Sequence, residues 1–289
     1  MVLAGCRTAA LNLVADAVAE SGDGYATDED PELVAQAAPF GLKTMEGLLQ
    51  ENPKHEGLLT SLTSGFTSYA YAFVLAEADL ADLDGKLDAS RGGRERAKRL
   101  FLRARDYGLR GLELRHPGLK DALLSARDLP KALSGAKKAD VPLLYWTASA
   151  WALAVSSGKN DMGLVAQLPS AVAMMERALA LDESWGEGSI HEFFVSYEST
   201  RTAAEGGGPE KARKHLERAL ELSKGQKLGP RVAFAEGVLV QAQDRVRFTR
   251  MLEEVLRADL AAAPRFRLAN TLAQRRARAL LAHRDDLFL

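Results

Sequence analysis

Ala97, Leu100, Phe101, Ala104, Gly108, Gly111 and Leu112 follow one another at three- and four-residue spacing, with charge on the opposite side. That period predicts an amphipathic helix over residues 94–115. The same period runs through most of the chain. Pro31 opens a helix through Val34, Ala37, Ala38, Leu42, Met45, Leu48 and Leu49. Asn52-Pro53 ends it, because proline pushes the residue before it out of the helical region. An apolar helix over 58–83 follows, with Phe66, Tyr69, Tyr71 and Phe73 near its middle, then a Gly- and charge-rich loop over 84–93. Residues 116–142 read as an irregular insertion with two short helices. Further helices are expected over 7–20, 141–156, 169–181, 190–197, 210–222, 232–243, 246–260 and 264–282. No stretch sustains a period of two, and isoleucine occurs once, at Ile190. The expected fold class is therefore all-α.

Residues 169–197 show the organising unit most plainly. Pro169 suits a first helical position, where its missing N–H costs nothing. Ala171, Met174, Met175, Ala178 and Leu181 share one face, Asp182 to Trp185 interrupt it, and a second helix carries Ile190, Phe193, Phe194 and Tyr197. Small Ala171 and Ala178 around bulky Met175 resemble the second helix of a tetratricopeptide repeat. Arg177-Ala-Leu-Ala-Leu181 recurs as Arg218-Ala-Leu-Glu-Leu222. Glu46-Gly47-Leu48 running on to Pro53 recurs 64 residues later as Arg110-Gly111-Leu112 running on to Pro117. Gly47, Gly111, Ala178 and Ala219 are read as the small residues that let helices cross closely. The expected architecture is a stack of antiparallel helical hairpins, a degenerate tetratricopeptide-repeat-like solenoid, forming a single domain over 7–289.

Composition changes this picture little. The 289 residues are 47% hydrophobic and 27% charged, with a formal net charge of −1. That balance gives no global attraction to nucleic acid or to an anionic membrane. No apolar run reaches the roughly 18 residues of a spanning helix. From Arg91 to Arg115 there are nine Arg and Lys against Glu95, Asp106 and Glu113, without interleaved stacking aromatics. This reads as a solvated helix face rather than a nucleic-acid surface.

Candidate chemistry is sparse. The five histidines, His55, His116, His191, His215 and His283, form no zinc-ligand spacing. Glu205-Gly-Gly-Gly-Pro209 lacks the preceding strand and the Lys-Ser/Thr pair of a phosphate loop and reads as a turn. No nucleophile motif is present, so no catalytic residue, metal site or cofactor is expected. A hydrolase or lyase using His191 with Glu192 or Glu187 is the weakest of the functional classes. The single cysteine, Cys6, closes Leu3-Ala4-Gly5-Cys6, which resembles a bacterial lipobox. Residues 1–6 are accordingly read as the remnant of a signal peptide, with Cys6 the lipidation site. Tyr145, Trp146, Trp151, His191, Phe194 and Arg201 are the candidates for a ligand or partner cleft, since apolar rings with a few polar groups make such sites.

Taken in order, these features resemble the T component of tripartite ATP-independent periplasmic (TRAP) transporters. The carriers are Leu-Tyr145-Trp146 with Trp151, Leu168-Pro169 with Met175-Glu-Arg177-Ala-Leu, and Gly188-Ser-Ile-His191. They continue through Gly206-Gly207, Glu210-Lys-Ala212, Asp244 with Phe248, and Leu268-Ala269-Asn270 with Arg276-Ala277. Asp30-Pro31, the Tyr69–Phe73 cluster and Tyr107-Gly108 fit as well. The resemblance implies a periplasmic protein on a lipid anchor, its only tie to the membrane. It also implies a homotrimer, association with the solute-binding P component, and a cleft or pore able to pass a hydrophobic small molecule. The alternative is a cytoplasmic repeat scaffold that binds a peptide in its groove.

Overall fold

The computed structural model describes residues 23–288, and among them every regular element is helical. Contacts divide the chain into two compact units, one on Glu32–Asp182 and the other on 183–288 together with Tyr25–Pro31. Helix α1 (Asp23–Ala26) is a single turn that runs into the Tyr25–Pro31 segment of the second unit. The candidate lipobox at Cys6 and the helix expected over 7–20 lie outside the described residues.

The first unit contains α2 (Pro31–Glu51), α3 (Glu56–Tyr69), α4 (Ala76–Leu83), α5 (Leu87–Arg115), α6 (Leu119–Leu124), α7 (Leu129–Ala132), α8 (Val141–Ser157), α9 (Met162–Val165) and α10 (Leu168–Leu181). Helix α8 is its centre and packs against α5, α10 and α3. The crossing with α5 is close because α5 offers glycine there. A methyl group on Gly108 would stand 2.0 Å from Thr147 Oγ1, and one on Gly111 would stand 2.8 Å from Leu143 Cδ2. On α10, the expected face is buried at Ala171, Met174, Met175 and Ala178, while Leu181 is half-buried.

Three sequence expectations are corrected here. Residues 84–93 are not all loop, since α5 begins at Leu87 and carries Gly92 and Gly93 inside it. Gly93 is there for closeness: a Cβ on it would meet Ala78 Cβ at 2.7 Å. Gly47 is exposed and meets nothing, so it is not a close-contact position. At that crossing the small residue sits on the partner helix, where Gly65 of α3 receives the Leu42 side chain. Finally, 58–83 is not one regular helix. A π-helical stretch, Ala70–Leu75, joins α3 to α4, and the Ala76 N–H reaches back five residues to Tyr71 O.

The second unit contains α11 (Ser189–Ser199), α12 (Pro209–Leu222), α13 (Gly229–Phe234), α14 (Arg245–Arg257), α15 (Arg267–Ala282) and α16 (Arg284–Leu287). Another π-helical stretch, Ala235–Leu239, extends α13. Helices α11 and α12 meet where Gly188 abuts the α12 backbone at Ala219. Phe248, Leu252 and Val255 of α14 and Ala273, Ala277 and Leu280 of α15 are the buried residues of a second helix pair. Two buried amides of α15 complete this unit. Asn270 Oδ1 accepts from Leu228 N at 3.0 Å while its Nδ2 donates to Gln226 O at 2.9 Å. Gln274 Nε2 donates to Val255 O and Ala258 O, both at 3.0 Å, satisfying carbonyls at the end of α14. Arg276 pairs with Glu236 on the π-helical stretch.

Candidate functional site

Helix α8 (VPLLYWTASAWALAVSS) carries no charged residue in 17 positions. Most of its surface is buried, which explains the composition on that side. The remaining side is different. Tyr145, Trp146, Ala152 and Leu153 are only half-buried and share one stripe. Tyr145 and Trp146 stand edge to face, with centroids 5.0 Å apart. Within the stripe Ser149 is 7% exposed, and its Oγ has no hydrogen-bond partner among the described residues. A buried hydroxyl without a partner costs free energy, so such groups mark functional or strained positions. Trp151 does not belong to this stripe. It is fully buried, its Nε1 donates to Gln167 Oε1 at 3.1 Å, and the Arg105 guanidinium lies 5.1 Å from its ring centre.

Helix α3, which packs against α8, is also nearly uncharged. Its unburied positions include Ser61, Ser64 and exposed Ser68, and Glu56 is its one charge. Helix α5, packed against both, contrasts with this. Much of its basic face is paired with carboxylates: Arg94 with Asp79 at 2.6 Å, Lys98 with Glu95 of the same helix at 2.8 Å, and Arg115 with Glu56 at 2.8 Å and Asp140 at 2.9 Å. Arg103 pairs with Glu46, which also accepts from Tyr107 Oη at 2.6 Å. Burial opposes ionisation of Glu46, but hydrogen bonds from Lys43, Tyr107 and Arg103 outweigh it and hold this carboxyl below its ordinary range. A shallow depression of about 550 Å³ on this face is lined by Arg99, Leu102, Arg103, Asp106, Tyr107 and Arg110.

In the second unit, His191 on α11 is 5% exposed. Its Nδ1 lies 2.8 Å from His215 Nδ1 on α12, and its Nε2 lies 3.1 Å from Glu183 Oε1. Arg218 grips Glu183 with two bonds, at 2.9 and 2.7 Å. That grip holds the Glu183 carboxyl down at about 2. Burial pushes the His191 imidazole below its ordinary value despite Glu183. Burial, with His191 and Lys211 nearby, pushes His215 down to about 4. Phe194 is 4% exposed and stacks on His215 at 4.9 Å. Half-buried Phe193 and Tyr197 stack at 6.1 Å, and Arg201 lies 5.0 Å over Tyr197. Arg201 also pairs with Glu198 at 3.5 Å and donates to Glu205 O.

Glu192 points away from His191, with its carboxylate against Gly229, and burial raises its pKa. Glu187 is held by Arg265. The carboxylate partner of His191 is Glu183, so the arrangement imagined for hydrolytic chemistry is not the one assembled. Glu183 and His215 were invisible as partners in sequence because they lie eight and 24 residues from His191. The one available signal was Arg218, a helical turn beyond His215 on α12. No group of three or more His, Cys, Asp or Glu suited to a metal occurs among the described residues.

Comparison with known proteins decides the family. The TRAP transporter T-component family matches residues 27–288. The chain belongs to that family. An uncharacterized protein of Treponema pallidum (strain Nichols) is 31% identical to this T component over 267 residues, spanning 92% of this chain and 82% of its own. Membership makes the protein an extracytoplasmic accessory component of TRAP transport that works with other transporter components. It also decides against a free-standing cytoplasmic scaffold.

Proposed function

We propose that this T component docks on the solute-binding P component and passes a hydrophobic ligand along the uncharged side of α8. The carrying observation is the half-buried stripe of Tyr145, Trp146, Ala152 and Leu153 around the unpartnered Ser149 hydroxyl. In a chain that is 27% charged, a multi-turn helix face without charge is a natural binding surface. Phe193, Tyr197 and Arg201 form a similar row in the second unit, aromatic with one cation at its end. Phe194 meets Phe193 and Tyr197 of that row edge to face, His191 reaches Phe194 through His215, and Trp151 holds α8 on its buried side.

The same reading takes the protein as a homotrimer held at the envelope through a lipid on Cys6. One acyl chain anchors weakly and several anchor stably. The test is co-purification from the native envelope followed by mass spectrometry. The wild type should bring down a solute-binding P component, and the Trp146→Ala protein should bring down far less at equal abundance. Equal recovery by both would remove α8 from the interface.

A further inference from the structure

The contact between His191 and His215 has room for one shared proton and no more. At 2.8 Å between two Nδ1 atoms, one ring must donate and the other accept. Nε2 of His191 faces the Glu183 carboxylate and so carries hydrogen. With both rings neutral, His215 donates to Nδ1 of His191. With one proton added to the pair, entering at Nε2 of His215 while the shared hydrogen passes to Nδ1 of His191, the direction reverses and the bond survives. A second added proton sets N–H against N–H and leaves two cations in contact.

No surrounding group absorbs that second charge. Glu183 is committed to Arg218. Lys211, on the same helix as His215, repels it. On α11, Glu192 faces Lys227 and Glu198 pairs with Arg201. Glu187 is held by Arg265, Glu236 by Arg276, Glu217 by Arg213 and Glu221 by Arg218. Arg231 on α13 donates to Gly225 O. The two rings also differ in freedom: His191 is buried, whereas His215 is half-buried and has a path to solvent. Leaving, it would unstack from Phe194, which is 4% exposed with His215 in place.

We propose that the His191–His215 contact is a proton-operated latch between α11 and α12. It is closed with no or one added proton. The second proton expels His215, loosens the helix pair and bares the Phe194 ring, so that an apolar surface exists only in acid. The device is independent of the docking assigned to α8.

Two measurements on the full chain test it. Imidazole nitrogen resonances followed from pH 8 to pH 4 should show His191 titrating first and His215 resisting. Amide exchange in 189–199 and 209–222 should then accelerate at least tenfold as His215 takes its proton, relative to His215→Phe at the same pH. The phenylalanine keeps the ring stack and cannot be charged. Should His215→Phe fail to fold, His215→Asn keeps a polar group there and serves as the non-titrating reference. Two rings titrating independently at ordinary values would overturn the latch. So would identical pH dependence of exchange in wild type and variant.

Discussion

Gly108 and Thr147 bring α5 and α8 together so closely that a Cβ on Gly108 would overlap the Thr147 side chain, 2.0 Å from Oγ1. Thr147 is itself fixed, its hydroxyl donating to Leu143 O at 2.6 Å. Gly108→Ala should therefore destabilise the first unit by about 1–3 kcal/mol, the usual cost of overpacking. Gly47→Ala, in open space, should change stability little or raise it. Urea titration of both variants checks the pair. Equal midpoints would contradict the crossing geometry.

The second unit has its counterpart at Gly188. Its φ of +90° is one that side chains rarely adopt, and a Cβ would stand 2.8 Å from Ala219 O. Gly188→Ala should cost about 2 kcal/mol or more, from a strained backbone and a clash with main chain rather than a movable side chain. Ala219→Trp and Ala178→Trp, both at fully buried positions, should be worse. Thermal melts within a degree or two of the wild type would refute these contacts.

The two tryptophans of α8 should separate cleanly. Trp151→Ala should cost about 3–5 kcal/mol, because the ring is fully buried and hydrogen-bonded. Trp146→Ala should cost less, about 1–2 kcal/mol, since part of its surface already faces outward. Chemical denaturation of both measures the difference. Comparable losses would place Trp146 in the core as well.

Acid should weaken the second unit. His191 and His215 are held below their ordinary values, so the folded state binds fewer protons than the unfolded chain. Their part of the stability is full above about pH 6.5 and falls as pH drops toward 4. Glu183 adds to the trend lower down: its contribution is full above the ordinary carboxylate range and is lost as pH approaches 2. Melting temperature followed from pH 7.5 to pH 4.5 should fall, and less steeply in His215→Phe. A flat profile in the wild type would contradict the burial of the pair.

The helices were legible because burial on one side writes a 3.6-residue period. Ala97, Phe101, Ala104, Gly108 and Leu112 show it and are all buried. The π-helical stretches were not legible, because one extra residue per turn leaves the apolar composition unchanged. The loop expected at 84–93 failed for a related reason: Gly92-Gly93 looks like a breaker, yet a helix keeps glycine where Ala78 of a neighbour presses against it. At the site, the sequence named Trp146 and Trp151 alike, since five residues of spacing cannot say which ring faces inward. Glu183 and His215 were missed because they reach His191 only through the fold.

In the proposed docking the uncharged side of α8, not the basic face of α5, meets the partner. Titration calorimetry with the purified P component tests it most directly, on wild type, Trp146→Ala and Arg99→Ala. Trp146→Ala should lose at least tenfold in affinity, about 1.4 kcal/mol or more, with its fold intact, and Arg99→Ala should bind as the wild type does. Undiminished binding by Trp146→Ala, with loss in Arg99→Ala, would contradict it.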